Sequence, residues 1–80
     1  MDKDLAKDLA TRGFMAMSQL TQALPVLKQN CGEAEYKTYL KAIGAVSASI
    51  STEIVHRVFA EHPEIEKEFE AKVTKNGRLF

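Results

Sequence analysis

Two long segments of the chain carry apolar residues at intervals of three and four, the spacing that places side chains on one face of an α-helix. In the first segment this face consists of Leu5, Leu9, Gly13, Met17, Leu20, Leu24 and Leu27. In the second it consists of Tyr36, Leu40, Ile43, Ser47, Ile50, Ile54 and Val58. Only Asn30-Cys31-Gly32 separates the two segments, and helices joined by so short a loop pack side by side. The pattern therefore predicts a long antiparallel helical hairpin.

Proline and glycine set the expected helix boundaries. Pro25 should kink or break the first helix, because an internal proline removes a backbone hydrogen bond and costs about 3 kcal/mol. Pro63 should end the second helix, because the residue before a proline is disfavoured in helical geometry, and it should begin a third helix at a favoured first position. The predicted helices cover about residues 4–30, 33–61 and 63–76, with a tail at 77–80. We expect one all-α domain over the 80 residues.

The middle of the predicted hairpin carries no charge. Residues 13–27 and 42–52 contain no Asp, Glu, Lys or Arg, and antiparallel pairing places these two stretches beside each other. A helix face in water normally carries charged side chains, and two helices alone cannot enclose a core. The sequence therefore favours a homodimer in which two hairpins form a four-helix bundle. In the alternative, the third helix folds back and covers Val55 and Phe59 within one chain.

Several small or apolar residues are candidates for the interface of such a dimer. The stretch 42–49 is rich in Gly, Ala and Ser, which let helices approach closely. Val55 and Phe59 are expected on a second apolar face, opposite Ile54 and Val58. The candidate interface residues are Met17, Gly44, Ser47, Ala48, Val55 and Phe59.

One pair of residues has the spacing of a helical metal site. Glu53 and His56 are three residues apart, as in the Glu-x-x-His motifs of di-iron four-helix bundles. The hairpin pairing places Asp8 near them as a possible third ligand. The alternative interpretation is a solvated pair near the end of a helix, where the helix dipole favours a cationic histidine. A carboxylate–histidine metal-binding bundle is therefore the second functional hypothesis.

Two further side chains have both a structural and a chemical interpretation. Cys31 is expected to fill the tip of the hairpin, although its position before a helix N-terminus and near Lys28 could also activate a thiol. Arg57 is expected to pack its stem and extend its guanidinium to water or to Asp4 and Asp8. An anion-binding role for Arg57 is the alternative.

Charge and motif content narrow the classes of function. Lys and Arg total 11 and Asp and Glu total 11, so no basic surface for nucleic acid is expected. No stretch resembles a signal peptide or a membrane span, and the single cysteine fits a reducing compartment. No glycine-rich phosphate loop or nucleophile motif is present, and no cofactor is expected. We expect a cytoplasmic, non-enzymatic protein–protein interaction or regulatory module that acts through a helical face.

Overall fold

The computed structural model of the protein describes residues 1–76, with side chains through Thr74, and these residues are helical almost throughout. The predicted all-α class is confirmed. The tail predicted at 77–80 lies outside the described residues. The elements are α1 (Lys3–Asn30), α2 (Glu33–Ile50), a single π-helical turn (Ser51–Val55, the π-turn), α3 (His56–Glu61) and α4 (Pro63–Asn76). The π-turn and α3 continue α2 without a break, so the chain forms three helical segments.

The first helix is capped at its start and continuous through its proline. The carboxylate of Asp2 accepts hydrogen bonds from the backbone N–H groups of Asp4 and Leu5, each at 3.2 Å, which satisfies two of the four N–H groups that a helix start leaves unpaired. Pro25 lies within α1 rather than at an end. The helix therefore tolerates the loss of one backbone hydrogen bond in its last third.

Replacing Pro25 with Ala should raise the stability of the chain. The substitution restores a backbone donor inside a continuous helix, and the gain of up to about 3 kcal/mol is reduced by about 1 kcal/mol because Ala leaves the unfolded chain more freedom. We expect an increase of about 1–2 kcal/mol in the free energy of unfolding, measured by urea denaturation. Pro63→Ala is the matched control and should give no gain, because Pro63 is the first residue of α4. Equal effects of the two substitutions would contradict this explanation.

The buried core lies at one end of the molecule, where the first half of α1 meets α3 and α4. α4 folds back within the same chain, so that its apolar residues pack on α1 and α3. The buried residues are Ala6, Ala10, Gly13, Val55, Val58, Ile65 and Phe69. α1 contributes only small residues to this group, whereas α3, α4 and the π-turn contribute the larger ones. This end of the molecule is therefore a three-helix unit.

The π-turn changes which residues of the second segment face the core. A π-helical turn contains one more residue than an α-helical turn, so the side chains that follow it are rotated about the helix axis. Ile50 and Val55 both lie beside Gly13, although residues five apart would lie on different faces of an uninterrupted α-helix. Val55 packs against Gly13, where an added Cβ would lie 3.2 Å from the Val55 Cγ2 atom. The π-turn thus directs Val55 into the gap that Gly13 leaves.

Ion pairs connect α4 and the end of α3 to the start of α1. The ammonium groups of Lys3 and Lys7 lie 3.2 and 3.0 Å from the two carboxylate oxygens of Glu68. The amino group of Met1 lies 3.0 Å from Glu61. The hydrogen bonds from Lys7 and Lys3 lower the pKa of Glu68, and the hydrogen bond from the amino terminus lowers the pKa of Glu61. These exposed ion pairs accompany the packing of α3 and α4 on α1, and each contributes about 0–1 kcal/mol.

Candidate functional site

The other end of the molecule is a two-helix arm, and no third helix among residues 1–76 covers it. We define the arm as residues 15–50, which comprise the second half of α1, the connecting loop and α2. No residue of α2 is buried, although the helix is 18 residues long. The most exposed large apolar side chains of the arm are Met15, Val26, Tyr39, Leu40 and Val46, all between 41% and 60% exposed. Within the described part of the chain, α2 therefore packs only on α1 and on the π-turn that continues it, and its remaining faces are exposed.

The dimensions of the chain also indicate that it is less compact than a fully packed domain. Its extents are 44 × 26 × 15 Å and its radius of gyration is 14.8 Å, whereas a compact domain of this length has about 11.6 Å. The chain exposes 5782 Å², whereas a compact monomer of this size exposes about 4,800 Å². The difference is similar to the ~800 Å² that each partner buries in a standard protein–protein interface.

The exposed part of the predicted interface is a face of small residues on α2. Gly44 and Ala48 are both exposed and are one helical turn apart. No atom lies within 4 Å of the position that a Cβ of Gly44 would take, so nothing in the described chain approaches this face. Met17 and Ser47 are half-buried between the helices of the hairpin. Of the candidate interface residues, Gly44 and Ala48 are thus the most accessible.

The expectation that Val55 and Phe59 form a free second face is corrected by the structure. Val55 is 1% exposed within the single chain and contacts Gly13, so it is not accessible to another molecule. Phe59 is half-buried, with its ring centroid 6.3 Å from that of Phe14 and 5.8 Å from that of Phe69. The reasons are the rotation introduced by the π-turn and the return of α4 in the same chain, which was the alternative arrangement.

The three residues considered as metal ligands are not brought together. Glu53 pairs with Arg57 at 3.0 Å, and Asp8 pairs with Arg12 at 2.8 Å, each within its own helix. His56 Nε2 lies 3.5 Å from the Ser51 hydroxyl. Among the described residues no group of three or more His, Cys, Asp or Glu side chains could hold a metal ion. The spacing of Glu53 and His56 is therefore a property of the helix alone.

Arg57 and Cys31 both bond locally. The Arg57 guanidinium reaches Glu53, to its carboxylate at 3.0 Å and its backbone carbonyl at 3.1 Å, rather than Asp4 or Asp8, because a partner one turn away is closer than one on α1. The Cys31 thiol donates to the carbonyl of Leu27 at 2.9 Å. Burial, followed by the charge of Glu35, raises the pKa of Cys31. The raised pKa disfavours the thiolate, and the structural interpretation of Cys31 fits these contacts.

A groove with an aromatic floor, not expected from the sequence, lies between α1, α3 and α4. Phe14, Phe59 and Phe69 form the floor, with the Phe69 ring edge-to-face to the other two at 5.6 and 5.8 Å. The groove has a volume of about 590 Å³. Its rim carries the exposed side chains of His56, Glu66 and Glu70. The only sequence signal for the groove was the presence of one phenylalanine on each of three helices. The spacing of residues within one helix does not show that these three rings meet.

The two glutamates on the rim differ from the other carboxylates of α4. Glu64 lies 3.4 Å from His62, and Glu68 bonds to two lysines. Glu66 and Glu70 form no ion pair with any side chain of residues 1–74, and they are one helical turn apart. Two like charges at this spacing repel by about 0.2–0.5 kcal/mol. The groove therefore combines an apolar floor with a negative rim that no ion pair among the side chains of residues 1–74 neutralises.

None of the described helices is both long and apolar enough to cross a membrane. Comparisons of the chain with models of known protein families, with curated proteins and with solved structures found no match.

Proposed function

We propose that this protein is a small, non-enzymatic interaction module of the cytoplasm that works as a homodimer, in which two hairpins pack into a four-helix bundle. The observation that carries the proposal is the absence of any buried residue in the 18 residues of α2. A helix with one packed neighbour and apolar side chains on its other faces gains stability when a second pair of helices covers it.

The polarity of the arm supports the same proposal. An exposed helix face normally carries charged side chains, which favour contact with water. Residues 42–52 carry none, and Gly44 and Ala48 leave room for the backbone of another helix. A closed two-fold arrangement buries the same face on both copies, which is the commonest arrangement in soluble homo-oligomers.

The metal hypothesis receives less support from the described residues. Glu53 and Asp8 each bond to an arginine on the same helix, so binding a metal ion would first require both ion pairs to open.

Replacing Ala48 with Glu should weaken the dimer without unfolding the chain. Ala48 is exposed in the single chain, so the added carboxylate stays in water in the monomer but loses its hydration at the interface. We expect the dimer dissociation constant, measured by sedimentation equilibrium, to rise at least tenfold. Circular dichroism should show unchanged helix content.

The control for this experiment is Ala71→Glu, which places the same charge on an exposed position of α4 outside the groove. It should leave the dissociation constant within about twofold of the original, because an exposed charge far from an interface changes binding little. A chain that remains monomeric at millimolar concentration would overturn the proposal.

A further inference from the structure

The groove between α1, α3 and α4 and the first half of α2 have complementary chemistry. In α4 the groove presents Glu66, Phe69 and Glu70, which have the relative positions i, i+3 and i+4. The first half of α2 presents the same spacing with the opposite charge, in Lys37, Leu40 and Lys41. Residues at these positions share one helix face. Each face therefore carries two like charges one turn apart with an apolar residue between them.

The basic face is exposed and only partly neutralised within the chain. Leu40 is 41% exposed. Lys37 pairs with Glu33 at 3.1 Å, but its side chain remains 70% exposed, and Lys41 has no ion-pair partner among the side chains described through Thr74. Like the two glutamates, the two lysines repel each other weakly. Both repulsions would be replaced by attraction if the two faces met.

The two faces are too far apart to meet within one chain. His56 lies on the rim of the groove, and residue 39 lies at the centre of the basic face. They are 17 residues apart in one continuous helical segment, which corresponds to about 25 Å along the helix axis. They meet when a second copy lies antiparallel along the first. The midpoint between residues 39 and 56 then marks the two-fold axis, and it falls at Ser47 and Ala48.

The residues at this midpoint fit a helix crossing. Gly44 and Ala48 are small and exposed, and they share the helix face of Lys37 and Lys41 by their spacing of three, four and seven residues. Two copies of α2 can therefore approach closely at the axis while each basic face reaches the other copy's groove.

We propose that the occupant of the groove is α2 of a second copy of this chain, which presupposes the dimer proposed above. Leu40 lies over the phenylalanine floor, and Lys37 and Lys41 pair with Glu66 and Glu70. Because the arrangement is two-fold symmetric, each dimer contains this contact twice. The arm of each copy is thereby covered in two places. Near the axis it contacts the small residues of the other copy, and near its tip it lies in the other copy's groove.

The test uses two charge-reversed versions of the full chain. One carries Glu66→Lys and Glu70→Lys, and the other carries Lys37→Glu and Lys41→Glu. In either version alone, both copies of the contact bring like charges together, so the dissociation constant should rise at least tenfold in sedimentation equilibrium at low salt. In an equimolar mixture each contact again pairs opposite charges. Native mass spectrometry, with an affinity tag on one chain to separate the masses, should then find a heterodimer of affinity close to that of the original homodimer.

A version with Lys67→Glu and Lys72→Glu is the control, since both lysines are exposed on α4 and neither lines the groove. It should dimerise with an affinity within about threefold of the original. If the first two versions also dimerise normally, or if their mixture does not form the heterodimer, the pairing of groove and α2 is wrong while the proposed dimer stands. If the unchanged chain does not dimerise, the proposed function itself fails.

Discussion

Replacing Phe69 with Ala should lower the free energy of unfolding by about 3–5 kcal/mol, the range for truncating a buried aromatic side chain. Phe69 is 5% exposed and packs edge-to-face on Phe14 and Phe59. With Ile65, it is one of the two buried side chains through which α4 contacts the other helices of the core. A domain of this size has a total stability of about 4–12 kcal/mol, so the loss is a large fraction of it. Urea denaturation followed by circular dichroism measures the change.

The control for this prediction is Val73→Ala, one turn further along α4. Val73 is 46% exposed, so its truncation should cost less than about 1 kcal/mol. Phe69→Leu covers the case in which Phe69→Ala does not fold at all, because it retains most of the apolar volume and should lose about half as much stability. A loss of under 1 kcal/mol for Phe69→Ala would show that α4 does not depend on this contact.

The second large effect is expected at Gly13, where Leu should destabilise the chain. A Cβ at this position would lie 3.2 Å from Val55 Cγ2 and 3.5 Å from Ile50 Cγ2, and Leu adds three more carbon atoms. Overpacking of this kind costs about 1–3 kcal/mol or more, against a gain of about 1 kcal/mol from replacing glycine in a helix.

Gly44→Leu is the matched control for Gly13→Leu. It has the same gain in helix propensity, but nothing lies within 4 Å of its Cβ position. At a concentration at which the chain is monomeric, Gly44→Leu should be more stable than Gly13→Leu by about 1–3 kcal/mol in urea denaturation. Equal stabilities would mean that α1 and the π-turn do not pack closely at Gly13. At higher concentration the same Gly44→Leu chain should dimerise more weakly, because the added side chain occupies the face proposed for the dimer.

The helices themselves could be predicted from the sequence. The three-and-four spacing of leucines in the first segment and of Ile43, Ile50 and their neighbours in the second reflects the period of one helix, which depends only on local geometry. Pro63 and the Cys31-Gly32 turn marked the helix ends for a similar local reason. Residues that bond to a partner one turn away, such as Glu53 and Arg57, are also local, although water, Asp4 and Asp8 were the expected partners of Arg57.

The groove and the buried position of Val55 could not be predicted in the same way. Phe14, Phe59 and Phe69 are separated by up to 55 positions in the chain, so their meeting depends on how three helices pack. The five residues of the π-turn, Ser51–Val55, contain no proline or glycine to mark a change of helix type. The rotation arises because it lets Val55 fill the space beside Gly13, which is a tertiary contact.

The sequence by itself determined that this chain forms long helices, where they begin and end, and that a stretch of the hairpin carries no charge. These properties follow from the spacing and the capping chemistry of residues that are close together in the chain. Only the tertiary structure decided that α4 packs on the start of α1 and that Val55 is buried. It also decided that one end of the molecule carries an aromatic groove with an acidic rim, while the other end is the uncovered arm. Those outcomes depend on side-chain volumes and charges that meet across the molecule, and no local pattern specifies such meetings.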